Sequence, residues 1–307
     1  MKNLILLFIT FFTISIFSQE SVDITINPLI KGTLIYTKDQ MYKTNLVIFI
    51  AGSGPTDRNG NQKGMVNNSL KFLAEGIINT KTDVFRFDKS IIAQIASGKI
   101  DETKSSFQNN IDDVLDIIKY FKANYTYKKI IIAGHSEGSL VGMLASNGTV
   151  DGFISLSGAG RSADFILEEQ IAKQMPDVKD EVHTDLELLK KGQTFENKNP
   201  NLAMLFRASV QPYLISWFKF NPQVEIKKLN IPVLIINGTK DIQVSIDEAK
   251  LLKNANPNAK LELIENMNHL FKEIKGDNSE NMASYSNPSL PVSKNLILKI
   301  KDFLKQF

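Results

Sequence analysis

The pentad Gly134-His135-Ser136-Glu137-Gly138 sets a single hydroxyl between two glycines, a spacing suited to nucleophilic catalysis. Lys128 and Lys129 lead into the apolar run Ile130 to Ala133, which reads as a buried strand; small and apolar residues at helical spacing follow from Ser139 to Ala145. A bare Gly-x-Ser-x-Gly also describes an ordinary turn. Strand before and helix after are the context that marks a nucleophile elbow, with Ser136 at a strained apex and Gly134 and Gly138 removing clashes. A serine needs a base, and the chain has three histidines. His135 lies inside the turn and cannot reach round to its neighbour. His183 sits in an acidic, solvated stretch. His269 follows the last apolar run on a loop, and by elimination it is the candidate base.

The elements that must position these groups follow from patterning. Segments Val22 to Ile26 and Thr33 to Tyr36 alternate and read as antiparallel strands. The continuous apolar run Leu46–Ile50 reads as a strand buried on both faces, and Asp83–Phe87, Gly152–Gly158, Ile231–Ile236 and Leu261–Ile264 read as further strands. Between them, helical faces are expected over Asn67–Asn79, Phe107–Asn124 and Val292–Phe307. Such alternation predicts an α/β chain with a mainly parallel central sheet flanked by helices. From about residue 161 to 228 the alternation lapses. The pattern there suggests helices over Phe165–Met175, Asp185–Lys191 and Leu202–Phe220, with a polar link from Gly192 to Asn201. Tyr213 and Trp217 are four apart and stack on one helical face.

The elbow, together with Gly52-Ser53-Gly54-Pro55-Thr56-Asp57-Arg58, resembles the α/β-hydrolase fold family, and in particular bacterial esterases and related hydrolases with peptidase-type names. The resemblance implies a catalytic triad in the chain order Ser136, Asp241, His269, since Gly238-Thr239-Lys240-Asp241 resembles the family's acid loop. It implies an oxyanion hole from the backbone N–H groups of Ser53 and Glu137. The family's usual histidine before the first glycine is Ala51 here, which spares a backbone donor. Asp57 and Arg58 brace this loop or meet substrate, bracing being favoured, and Asp88 is read as structural. The irregular segment is then a helical cap, its apolar roof offered by Phe206, Tyr213, Trp217 and Phe218. Trp217 is a candidate substrate contact or a packing residue of the cap, and no cluster of basic side chains is expected to face the pocket.

Composition narrows the partners. A net charge of +3 in 307 residues argues against nucleic acid or an anionic membrane surface. The chain has no cysteine, which excludes thiol catalysis, disulfides, a Cys-ligated metal and a lipid-modified cysteine. The loop after Ile50 lacks the Gly-Lys-Ser/Thr of a nucleotide cradle, and His and carboxylate spacing offers no metal site. No cofactor is expected. Met1-Lys2-Asn3 followed by the apolar stretch Leu4–Phe17 and then Ser18 has the layout of a secretory signal peptide over residues 1–18, with the hydrolase domain over 19–307. An exported, periplasmic or secreted, protein without a stable membrane span is the expectation, acting on a small-molecule ester. A peptidase or acyltransferase using the same triad is the alternative, and a catalytically silent binding protein a further one.

Overall fold

The computed structural model describes residues 19–38, 45–98 and 100–307. The expected signal segment, 1–18, lies outside the described residues. In chain order the elements are β1 (Gln19–Asn27), β2 (Ile30–Thr37), β3 (Asn45–Ile50), α1 (Ser69–Ile77), β4 (Thr82–Phe87), α2 (Ser90–Ala96), α3 (Phe107–Asn124), β5 (Lys129–His135), α4 (Glu137–Ser146) and β6 (Gly152–Leu156). Then come α5 (Ala163–Gln174), α6 (Lys179–Lys190), α7 (Ala203–Phe206), α8 (Gln211–Trp217), α9 (Pro222–Lys227), β7 (Val233–Gly238), α10 (Ile246–Ala255), β8 (Lys260–Ile264), α11 (Asn278–Ser284) and α12 (Lys294–Leu304).

The eight strands form one sheet in the order β1-β2-β4-β3-β5-β6-β7-β8. β2 runs antiparallel to both β1 and β4, and the other neighbours are parallel. The leading hairpin turns at Asn27, whose side-chain oxygen accepts the N–H groups of Leu29 and Ile30, each at 2.9 Å. Strand periodicity assigns the two faces. Leu46, Ile48 and Ile50 of β3, with Ile130 and Ile132 of β5, pack against α3, α4, α9 and α10. Val47 and Phe49, with Ile131 and Ala133, pack against α1 and α12. Every residue of β3 is buried, and each large apolar side chain so covered contributes about 1.5–3 kcal/mol. The continuous apolar runs are therefore the sequence image of a sheet sandwiched between helical layers.

Five helices, α5 to α9, lie between β6 and β7, and part of this segment has a small core of its own. Ile171, Val182, Leu186, Leu189, Leu202, Phe206 and Leu214 pack together there. The helix expected over Leu202–Phe220 is broken into α7 and α8. Arg207 leaves helical geometry at φ −55°, ψ 142°, and its guanidinium pairs with Glu102 through Nε–Oε2 at 2.9 Å and Nη2–Oε1 at 2.6 Å. Pro212, which has no N–H to donate, fits only the first turn of α8. Among the described residues no helix is long and apolar enough to cross a membrane.

Candidate active site

The carboxyl ends of β3, β5, β7 and β8 deliver the chemistry-bearing loops to one edge of the sheet. Between β5 and α4 the chain turns through Ser136 at φ 55°, ψ −121°, a conformation that costs a non-glycine residue about 1–3 kcal/mol. The turn is held from both sides: the Ser136 N–H donates to the Leu156 carbonyl and the Ser139 N–H to the Ser136 carbonyl, both at 2.9 Å. Glycine is required at both flanks. A Cβ on Gly134 would stand 2.1 Å from the Gly138 carbonyl oxygen, and one on Gly138 would stand 2.5 Å from that of Ala51. The second clash shows what the pattern is for, since it lets α4 seat against the end of β3 and brings the following loop beside Ser136.

Asp241, after β7, and His269, after β8, form a buried pair. His269 Nδ1 lies 2.8 Å from Asp241 Oδ2, with the two side chains 3% and 0% exposed. A carboxylate only accepts, so Nδ1 carries the proton and Nε2 is left as a free acceptor. The other carboxylate oxygen of Asp241 accepts the N–H groups of Gln243 and Val244, both at 2.9 Å. The two loops are cross-tied by Thr239 N–H to the Ile264 carbonyl at 3.0 Å and Lys240 N–H to that of Met267 at 2.9 Å. On the His269 side, Asn268 accepts from the N–H groups of Leu270 and Lys272 at 3.1 and 2.9 Å.

His135 joins the elbow to this pair, a role sequence reasoning missed. Its ring lies 4.8 Å from those of His269 and Phe271, and its Nε2 donates to the His269 carbonyl at 2.9 Å. Burial, reinforced by the neighbouring His269, pushes its pKa well below the usual imidazole value, so it sits as a neutral wedge. Nothing in the sequence beyond its place in the pentad signals this. Among the described residues no hydrogen bond joins the Ser136 hydroxyl to His269. His183 lies on the surface, 2.9 Å from Glu168.

Ser53 and Glu137 line the same cavity as Ser136, of about 250 Å³. The loop carrying Ser53 is cross-tied by hydrogen bonds. The Ser53 carbonyl accepts from Thr56 Oγ1 at 2.9 Å and Gln62 Nε2 at 2.8 Å. Asp57 accepts the N–H groups of Asn59 and Asn61 at 2.8 and 2.9 Å. Arg58 binds Asp88 through its own N–H at 2.8 Å, Nε at 3.1 Å and Nη2 at 2.7 Å, and reaches Thr33 and Asp23 with Nη1. Asp57, Arg58 and Asp88 are thus bracing groups, which tie the loop to β2 and to the exit of β4. Also unread in the sequence is Lys89, buried directly after Asp88, whose ammonium lies 2.8 Å from the Glu137 carboxylate.

The helical segment supplies the opposite wall, with Leu167, Leu205 and Trp217 facing Leu140 of α4. Trp217 both packs and lines: its ring stacks on Phe107 at 5.6 Å with 5° between planes. Of the other expected roof residues, Phe206 is fully buried in the segment's core, and Tyr213 faces a second cavity of about 320 Å³ across Gly54 and Pro55. One cation does stand in the wall. Arg161 is neutralised, however, by Glu248, 2.6 Å from Nε, and by Glu169, 2.5 Å from Nη2. Among the described residues no group of three or more metal-ligating side chains is gathered.

No family model matches the chain, and no curated protein matches it. Solved structures do. Est1E from Butyrivibrio proteoclasticus aligns with a TM-score of 0.57 at 17% identity, over 90% of this chain and 95% of that one. The same protein with ferulic acid bound aligns with a TM-score of 0.56 at 18% identity, over 90% and 94% of the two chains. The Pyrococcus furiosus esterase Pf2001 aligns with a TM-score of 0.54 at 16% identity, over 95% and 92%. At these identities the likeness is one of fold: the chain has the α/β-hydrolase fold.

Proposed function

We propose that this chain is a serine hydrolase that cleaves carboxylic esters through a triad of Ser136, Asp241 and His269. The observation that carries the reading is the buried Asp241–His269 hydrogen bond of 2.8 Å, which leaves Nε2 as a free acceptor at the edge of the sheet where the strained Ser136 sits. Ser136 Oγ attacks the ester carbonyl carbon while His269 Nε2 takes its proton. Asp241 holds the tautomer and stabilises the imidazolium. The carbonyl oxygen becomes an oxyanion facing the N–H groups of Ser53 and Glu137, neither of which donates to another group among the described residues; each such donor typically lowers the barrier by about 3 kcal/mol. The imidazolium returns its proton to the alcohol oxygen as the C–O bond breaks, leaving an acyl group on Ser136. Water, deprotonated by His269, then adds to the acyl carbon and releases the acid. No step needs a cofactor.

The segment from about residue 161 to 228 acts in this reading as a cap, and its apolar wall beside a neutralised Arg161 favours uncharged acyl groups. The apolar run near the N-terminus supports export to the periplasm or medium. A series of p-nitrophenyl esters from acetate to dodecanoate, run beside matched p-nitroanilides, tests the reading. Hydrolysis should favour short or medium esters. Faster cleavage of the anilides than of every ester would replace the esterase assignment with an amidase one.

A further inference from the structure

The exit of β4 carries a lysine that the proposed mechanism does not use. Lys89 Nζ lies 2.8 Å from Glu137 Oε1 and 3.2 Å from the Gly52 carbonyl oxygen, and the Lys89 and Glu137 side chains are 7% and 1% exposed. A buried ion pair is weak evidence for stability, because apolar residues of similar volume often do as well. Its two acceptors, however, are not arbitrary. Glu137 is the residue whose N–H forms one half of the candidate oxyanion hole. The Gly52 carbonyl belongs to the same peptide unit as the Ser53 N–H, which forms the other half. That unit is planar and trans, so its N–H points away from its C=O. Holding the oxygen therefore aims the donor. The ammonium charge on the oxygen also polarises the unit, making the N–H a stronger donor. One side chain thus couples two loops that meet only across the sheet end.

The helical segment touches the same group. Tyr213 of α8 accepts from Asn110 Nδ2 at 3.0 Å, and burial together with the charge of Glu137 raises its phenol well above its ordinary pKa. Lys89 and Glu137, both buried, stand beside Asn110 and Tyr213, both half-buried.

We infer that Lys89 is a positioning residue for oxyanion stabilisation, which fixes the Ser53 and Glu137 N–H groups relative to one another through the Gly52 carbonyl and the Glu137 carboxylate. The inference rests on the serine-hydrolase reading above.

The test uses Lys89→Met and, because that variant strands a buried carboxylate, the charge-free Lys89→Met/Glu137→Gln pair, which keeps the Glu137-position N–H. Each is compared with wild type for kcat and KM on p-nitrophenyl butyrate and for inhibition by an alkyl trifluoromethyl ketone, whose adduct with Ser136 bears an oxyanion. In whichever variant keeps the wild-type circular dichroism spectrum, kcat should fall about 10- to 100-fold with KM within about threefold. Trifluoromethyl ketone affinity should fall by the same factor as kcat. A folded variant with unchanged kcat, a loss confined to KM, or a lower kcat with unchanged ketone affinity would each overturn the inference. A wild-type protein that takes no fluorophosphonate label would instead overturn the serine-hydrolase reading beneath it.

Discussion

The loops at the sheet's carboxyl edge and the helical segment between β6 and β7 face each other across one cavity, and they are built by opposite means. In the loops, position is set by directed hydrogen bonds: Asp241 accepts from three donors, Arg58 clamps Asp88, and Asn268 holds two N–H groups of the His269 loop. In the helical segment, position is set largely by apolar packing around Val182, Leu186, Phe206 and Leu214. Hydrogen bonds are directional and fix atoms within tenths of an ångström, which proton transfer needs. Packing fixes volume and shape while tolerating rearrangement. Substitutions on the loop side should therefore change rate, and substitutions on the helical side should change which substrate fits.

The sharpest way to break that contrast is at the elbow. Ser136→Ala should abolish ester turnover, by roughly 10⁴-fold or more, with unfolding by denaturant little changed, since alanine keeps the Cβ and the strained backbone of the turn. Substantial turnover by a folded variant would remove Ser136 from the mechanism. Next in size is Asp241→Asn, which should lower kcat by up to roughly 10⁴-fold by favouring the wrong histidine tautomer. Asp88→Asn, by contrast, leaves the reacting atoms in place and loosens the Arg58 clamp. Its kcat should fall by no more than about tenfold while its Tm drops. A reversal of these two effects would mean that the acid has been misassigned.

On the helical side, Trp217→Ala opens the cavity opposite Ser136 and should shift the best acyl chain toward greater length. Each methylene newly accommodated should gain about 0.8 kcal/mol in kcat/KM. Serine reactivity should stay intact. An unchanged length profile would reduce Trp217 to its stacking on Phe107.

The smallest effect expected is one of pH on stability, and it too belongs to the polar side. Burial pushes the Lys272 ammonium, beside the Asn67 and Leu290 carbonyls, down to about 8. Between that value and the lysine's ordinary pKa the unfolded chain holds a proton that the folded chain has released, so stability from this group rises with pH. From pH 7.5 to 8.5 the unfolding free energy of wild type should gain about 0.7 kcal/mol relative to Lys272→Met. A flat difference would show that Lys272 stays charged in the folded protein.

The same contrast explains what the sequence disclosed. The strands announce themselves because residues such as Leu46 to Ile50 are buried on both faces, and that demands an unbroken apolar run. The elbow is legible because its geometry forbids a side chain at Gly134 and Gly138. Asp241 and His269 lie on irregular loops and become legible through the family resemblance and the scarcity of histidine, not through any local pattern. The break between α7 and α8 is invisible to periodicity because Arg207 leaves the helix where it pairs with Glu102, a residue about a hundred positions earlier. The roof expected from Phe206 and Tyr213 fails for the same reason, since neither side chain faces the cavity that holds Ser136. Lys89 and His135 hide differently: a lysine at a strand exit reads as solvated, and only tertiary structure brings the Glu137 carboxylate and the His269 carbonyl to them.

The most direct test of the central claim is labelling by a fluorophosphonate followed by peptide mass spectrometry. The proposed mechanism predicts one adduct, on Ser136, formed rapidly in wild type and lost in Ser136→Ala, with His269→Ala slowing its formation severely. An adduct on another serine, or no adduct on folded wild-type protein, would contradict it.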